Sequence, residues 1–292
     1  MSSPLNDAPT GLSPAIKLTG PGPAVAVVQL VSKLSVHNNL LEAAGLIRQA
    51  SAQGAQLIML PESFAVFGDP QMVAHGAEAS LPKRGLRLWL SQQAKANNVW
   101  LIGGTIPCQE GIEDNNKVRS ACFVYDSEGA EVARYDKIHM FDVDIADSHG
   151  SYRESDTFEA GGELVVVDTP VGKVGLTICY DLRFAEIHAK LVDLGAQIIV
   201  NGAAFTKTTG QAHWHTLLRA RAIETQCYVL AASHGGQHDH RQTFGHSMII
   251  DPWGEILVEL DEGPGIAVAR VDLDYLQRIR TAFPLQSQRR LQ

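Results

Sequence analysis

Three segments carry residues whose types and positions could do chemistry. Val174 to Glu186 reads VGLTICYDLRFAE: a β-rich run ends at Cys179, and after Tyr180-Asp181 the pattern turns helical. A cysteine at a strand-to-helix turn stands at the strand's carboxyl end, where the N–H groups opening the helix can meet a developing oxyanion. Such a position also favours thiolate over thiol. The plain alternative is a buried structural cysteine, the usual fate of a free thiol, and on this segment alone the two readings balance. Leu57 to Phe64 (LIMLPESF) is an apolar run broken by Pro61, with Glu62 directly after it. An acid there is either a general base or a satisfied structural carboxylate, and taken alone the structural reading is stronger. Tyr135 to Asp144 (YDKIHMFDVD) sets Lys137 just past another strand, where a lone lysine is ordinarily a solvated surface residue.

The elements that must position these residues follow from hydrophobic periodicity. Apolar runs of strand length alternate with amphipathic stretches of helix length. Strands are predicted at Ala24 to Leu30, Gln56 to Leu60, Asn98 to Pro107, Leu164 to Asp168, Lys173 to Ile178, Gln197 to Asn201, Tyr228 to Ser233, His246 to Ile250 and Ile266 to Val271. Ser120 to Tyr125 and Glu131 to Tyr135 flank Ser127-Glu128-Gly129 and read as a hairpin. Helices are predicted at Asn38 to Gln53, Lys83 to Asn97, Phe184 to Leu194 and Gln211 to Gln226. Interleaved helices, strands and hairpins imply a layered α/β domain with mixed sheets.

The chain has 292 residues, 45% of them hydrophobic, enough for a large core. The Pro-, Gly- and Ser-rich stretch 1–23 reads as a flexible tail, and 24–292 as a single domain without a linker. A formal charge of -8 and no dense basic stretch argue against nucleic acid as a partner. No run approaches the ~18 apolar residues of a membrane span, and the N-terminus lacks a secretory h-region. Four scattered cysteines (Cys108, Cys122, Cys179, Cys227) suit reduced thiols in the cytoplasm better than disulfides or a cysteine zinc site.

In their order and spacing the three segments together resemble the nitrilase-like carbon–nitrogen hydrolases, whose catalytic segments read P-E-x-F, Y-x-K-x-H-L-F-D and G-x-x-I-C-Y-D-x-R-F. The resemblance covers residues 24 to 290. It implies a four-layer α-β-β-α sandwich, and a triad of Glu62 as base, Lys137 as electrostatic partner and Cys179 as nucleophile. The backbone N–H of Tyr180 would serve the oxyanion. The family's second acid, in a loop after the lysine, falls on Glu154 in SYRES; the alternative is a loop acid in solvent. Gly210 to Val229, Gly245 to Ile256 and Glu262 to Leu276 bring the chain nearest the branch of deaminated glutathione amidases. The rival branch is the ω-amidases acting on 2-oxoglutaramate, and a non-catalytic binding protein would predict a broken triad. Ala185 departs from the family's usual proline, which touches helix entry rather than chemistry. The resemblance also implies a small-molecule amide substrate, a homodimer or larger homo-oligomer, and no cofactor or metal.

A carboxylate-bearing substrate needs cationic or N–H partners. Arg183 stands close to the nucleophile, and the alternative for it is an ion pair with Glu186 or another structural acid. Asn201 to Phe205 ends the strand after the nucleophile's helix, and its backbone is expected to line the pocket. Arg183, Asn201, Phe205 and Thr206 are therefore the expected substrate contacts. His234, His238, Asp239 and His240 in HGGQHDH invite a zinc reading, but their spacing matches no helical H-x-x-x-H pair, and a substrate-facing or interface loop is preferred. His213 and Trp214 read as packing residues opening a helix, and Cys122 and Cys227 as core. Arg219 and Arg221 with Glu224 read as ion pairs.

Overall fold

The computed structural model describes residues 15–68, 71–114, 116–145, 150–239 and 241–290. Its frame is two sheets packed face to face. The first runs in the order Ala15–Lys17, Gly265–Arg270, Ala24–Gln29, Ala55–Met59, Trp100–Ile102, Arg119–Tyr125 and Ile106–Cys108, with Glu131–Asp136 also paired to Arg119–Tyr125. The second runs Val166–Thr169, Gly172–Ile178, Ile198–Ala203, Tyr228–Ser233, Met248–Ile250 and Ile256–Glu259. Three strands at the centre of each sheet are parallel, which explains their unbroken apolar runs: both faces are covered.

Strand alternation sorts the side chains between layers. In Ala24–Gln29, Val25 and Val27 face the second sheet and meet the cluster of Leu176, Ile178 and Val200, while Ala26 and Val28 face the helices. Helix Val36–Ala52 covers that outer face with Ala43, Leu46, Ile47 and Ala50, an i, i+3, i+4, i+7 stripe. Burying Leu46 or Ile47 contributes about 1.5–3 kcal/mol each. Ser35 caps the helix, its side chain accepting from the Asn38 N–H, so the helix begins two residues before the predicted start. On the other side, helix Lys207–Thr225 lays Trp214 and Leu218 against the second sheet, and helix Ala185–Asp193 adds Leu191. The layers are therefore helix, sheet, sheet, helix.

Four local expectations change. Ala15–Lys17, assigned to the tail, joins the sheet edge parallel to Gly265–Arg270, because the register offers it free backbone partners from Ala267 to Ala269. The run Asn98 to Pro107 is two strands, since Gly104 has φ +55° and a Cβ there would sit 2.0 Å from the Pro61 carbonyl oxygen. The last long helix starts at Lys207, four residues earlier than predicted, because the Thr206 hydroxyl accepts from the Thr209 N–H; His213 and Trp214 therefore lie inside it. Arg221 pairs with Glu224 at 2.7 Å, whereas the Arg219 Nε donates to the Gly254 carbonyl.

Buried histidines make the fold acid-sensitive. Burial pulls His188 down to about 4 and His234 to about 3, against an ordinary value of 6.5. A depressed folded pKa means stability is fully present above pH 6.5 and is lost as pH falls toward the folded values. Each such group costs about 1.4 kcal/mol per pH unit inside that window. Denaturant unfolding of His188→Asn should therefore show a shallower loss between pH 6.5 and 4.5 than the parent chain; an identical slope would remove His188 from this account.

Candidate active site

Glu62 stands where strand Ala55–Met59 leaves the sheet. The Leu60 N–H still bonds the Ile102 carbonyl at 3.0 Å, Pro61 ends the pairing, and Ser63 turns left-handed at φ +52° with its N–H on Thr105 Oγ1 at 2.8 Å. His234 Nε2 holds the Glu62 carbonyl at 2.8 Å. Lys137 follows strand Glu131–Asp136 directly; its N–H goes to the Ser120 carbonyl and its carbonyl receives the Gly161 N–H. Its side chain is thereby turned inward and is almost wholly buried.

The ammonium of Lys137 sits between two carboxylates: Nζ lies 2.8 Å from Glu62 Oε1, and 2.7 and 2.8 Å from the two oxygens of Glu154. Burial works against its charge, but Glu154 and Glu62 more than offset that and hold its pKa well above the usual lysine value. Glu154 also accepts the Phe141 N–H at 2.6 Å, so the alternative of a solvent-facing loop acid does not hold. Burial, more than the opposing pull of Lys137, raises the Glu154 carboxyl.

Cys179 ends strand Gly172–Ile178 and opens the short 3-10 turn Cys179–Arg183 in the left-handed region, at φ +44°. A non-glycine residue held there stores of the order of 1–3 kcal/mol and lifts its side chain clear of the strand. Glu62, Lys137 and Glu154 all lie within electrostatic reach of the sulfur. The expected thiolate preference is reversed. Burial first, and the Glu62 charge second, push the thiol well above its ordinary pKa, outweighing Lys137 and the Ala204 N–H. At neutral pH the resting residue is a thiol, and attack requires a base.

Asp181, two residues past the cysteine, escaped the sequence reading. Its fully buried carboxylate accepts the Ile178 N–H at 2.9 Å, the Tyr135 hydroxyl at 2.7 Å and the His139 N–H at 3.0 Å, with His139 Nδ1 also at 2.7 Å. One side chain thus ties the turn bearing Cys179 to the segment bearing Lys137. The signal was present: an acid in an otherwise apolar segment must find buried donors.

The groups open onto a cavity of about 260 Å³. Tyr180, Arg183, Phe205 and Thr206 line it as expected, with the Arg183 guanidinium 5.2 Å from the Phe205 ring centre. Asn201 does not. It shares the strand face of Ile199, toward the helix layer, and its amide donates to Thr177 Oγ1 at 3.0 Å. Arg241 also lines the cavity and was missed, because its segment read as a histidine cluster. His234 and His238 pack against Phe67 behind the pocket; His240 lies outside the described residues.

A helix-sheet-sheet-helix sandwich with this constellation at the strand ends defines a class, the nitrilase-type hydrolases. The family model for carbon–nitrogen hydrolases matches residues 24–281, and the chain belongs to that family. It is 42% identical over 262 residues to the deaminated glutathione amidase of Yersinia enterocolitica, covering 89% of this chain and 91% of that one. The human deaminated glutathione amidase is 41% identical over 273 residues, 92% of this chain and 82% of its own. Among solved structures, Saccharomyces cerevisiae Nit3, of branch 10 of the nitrilase superfamily, superposes with a TM-score of 0.82 at 32% identity, covering 96% of this chain and 98% of that one. The C. elegans NitFhit protein gives 0.83 at 35% identity; the match takes in 93% of this chain but 66% of the NitFhit chain.

Proposed function

We propose that this chain hydrolyses the amide of deaminated glutathione to 2-oxoglutarate and cysteinylglycine through a thioester on Cys179, disposing of a transaminase side product. The observation that carries the reaction type is the Lys137 ammonium held at 2.8 Å from Glu62 and 2.7 Å from Glu154 beside a left-handed cysteine. The substrate follows from the relatives, which bear that activity in their names at about two-fifths identity along most of the chain.

The chemistry needs one mobile proton. Glu62 takes it from the Cys179 thiol as sulfur attacks the amide carbon, because only the thiolate is an effective nucleophile. Charge gathers on the carbonyl oxygen, toward the Lys137 ammonium and the Tyr180 N–H, a donor that opens its turn and has no acceptor within it. Glu62 returns the proton to the amide nitrogen, the C–N bond breaks, and cysteinylglycine leaves. Water then gives a proton to Glu62 and its oxygen to the thioester carbon; the C–S bond breaks and the sulfur takes the proton back. Glu154 remains charged on the far side of Lys137 and aims the ammonium. Each proton transfer by a positioned group contributes about 10²–10⁴-fold.

The deciding assay is 2-oxoglutarate release from deaminated glutathione and from 2-oxoglutaramate. A strong preference for the tripeptide analogue is the expected result. Preference for 2-oxoglutaramate would keep the mechanism and reassign the substrate, and inertness toward both would overturn the proposal.

A further inference from the structure

Three arginines line the cavity; Arg153 is paired with Asp144, which leaves two guanidinium groups that the reaction steps do not use. Arg183 belongs to the turn that carries Cys179; it lies over Phe205 and Tyr180, and its Nη1 is 3.2 Å from His213 Nδ1. Arg241 comes from a different wall, the hairpin joining Gly235–Gln237 to Gln242–Phe244, and its guanidinium lies 4.0 Å over the Phe67 ring. The Phe67 ring holds the guanidinium at the cavity wall. Among the described residues no carboxylate pairs with it: Glu62 and Glu154 are committed to Lys137, and Asp144 to Arg153. Burial depresses its pKa despite the opposing pull of the nearby Glu62 and Glu154 charges, neither of which forms an ion pair with it. A planar, charged fork kept unpaired inside a pocket is matched to an arriving carboxylate.

We propose that Arg241 forms a subsite for a carboxylate on the amine half of the substrate, the part that leaves first. This rests on the amidase reading above and extends it to the selection of dianionic amides. The substrate named there has a carboxylate on each side of the scissile bond, and the pocket has a guanidinium on each of two walls. The acyl half must stay in place while water attacks the thioester, so its anchor belongs on the nucleophile's own turn, which is Arg183. The amine half must depart before that water enters, so its anchor belongs on a separate hairpin, which is Arg241.

The test compares intact enzyme with Arg241→Met on three substrates: deaminated glutathione, the same compound with its terminal carboxylate capped as a primary amide, and 2-oxoglutaramate. The expected result is a loss in kcat/KM of about 10–100-fold on deaminated glutathione, carried mainly by KM. On the two substrates lacking that carboxylate the change stays within about threefold, which also shows that the variant folds. Arg241→Lys should recover part of the loss, since a point charge replaces the fork. An equal loss on all three substrates would place Arg241 on the acyl half or at the reacting atoms and overturn the subsite. Unaltered enzyme that hydrolyses the capped and free peptides equally well would overturn the subsite while leaving the amidase reading intact. Unaltered enzyme inert toward deaminated glutathione yet active on 2-oxoglutaramate would overturn the substrate reading, and the subsite with it.

Discussion

Lys137→Met is expected to damage both stability and turnover. The methionine fills the volume of the lysine stem but removes the charge between Glu62 and Glu154, each within 2.8 Å of it. Two buried carboxylates then face each other without a counter-ion, and breaking a buried ion pair on one side costs about 3–5 kcal/mol. Mutual repulsion raises one folded carboxyl pKa above its unfolded value, so the variant recovers stability as pH falls and loses it as pH rises through the new value. Denaturant unfolding at pH 5.5 and pH 8 should show a smaller deficit at the lower pH. Turnover should fall by about 10³-fold, the scale of losing one oxyanion partner. A deficit equal at both pH values, with kcat within tenfold of the parent, would show that the lysine is neither the counter-ion nor the electrostatic partner.

Removal of the nucleophile gives the second large effect. Cys179→Ala should lower kcat by about 10⁵-fold or more, as when the nucleophile of a covalent hydrolase is deleted. The melting temperature should shift by only a few degrees, because alanine tolerates φ +44° no worse than cysteine does. Mass spectrometry of the parent mixed with substrate should show an acyl adduct on the peptide containing Cys179 and none on Cys108, Cys122 or Cys227, all buried away from the cavity. Substantial turnover by the alanine variant would exclude the thioester route.

Much of the site was legible because its members stand just past strands. Cys179 and Glu62 each follow a strand-length hydrophobic segment, Lys137 follows the more polar hairpin strand Glu131–Asp136, and a residue so placed sits at a strand end whatever the distant contacts are. Glu154 needed the family pattern, since its loop has no periodicity and its burial comes from Lys137 and the Phe141 N–H. Arg241 could not be read at all: its orientation depends on Phe67, brought beneath it only by the docking of the two sheets. Asn201 was misplaced for a simpler reason. The residue type suits a pocket, but strand alternation turns it to the opposite face, with Ile199. Ala15–Lys17 carries no pattern of its own, and its strand exists because Gly265–Arg270 would otherwise present an open edge. The thiolate expectation failed because the helix-opening argument ignores burial and a neighbouring carboxylate, both of which oppose it.

The paired arginines also change how the molecule looks to an approaching anion. The whole chain carries a formal charge of -8, so from a distance an anionic substrate meets a repellent body. Physiological salt erases most of that field beyond about 8 Å. Inside the cavity the sign inverts, since Lys137 with its two acids leaves one negative charge and Arg183 with Arg241 adds two positive ones. The protein is thus a depth filter: it gives anions no long-range invitation and rewards only those small enough to travel the last few ångströms to the floor.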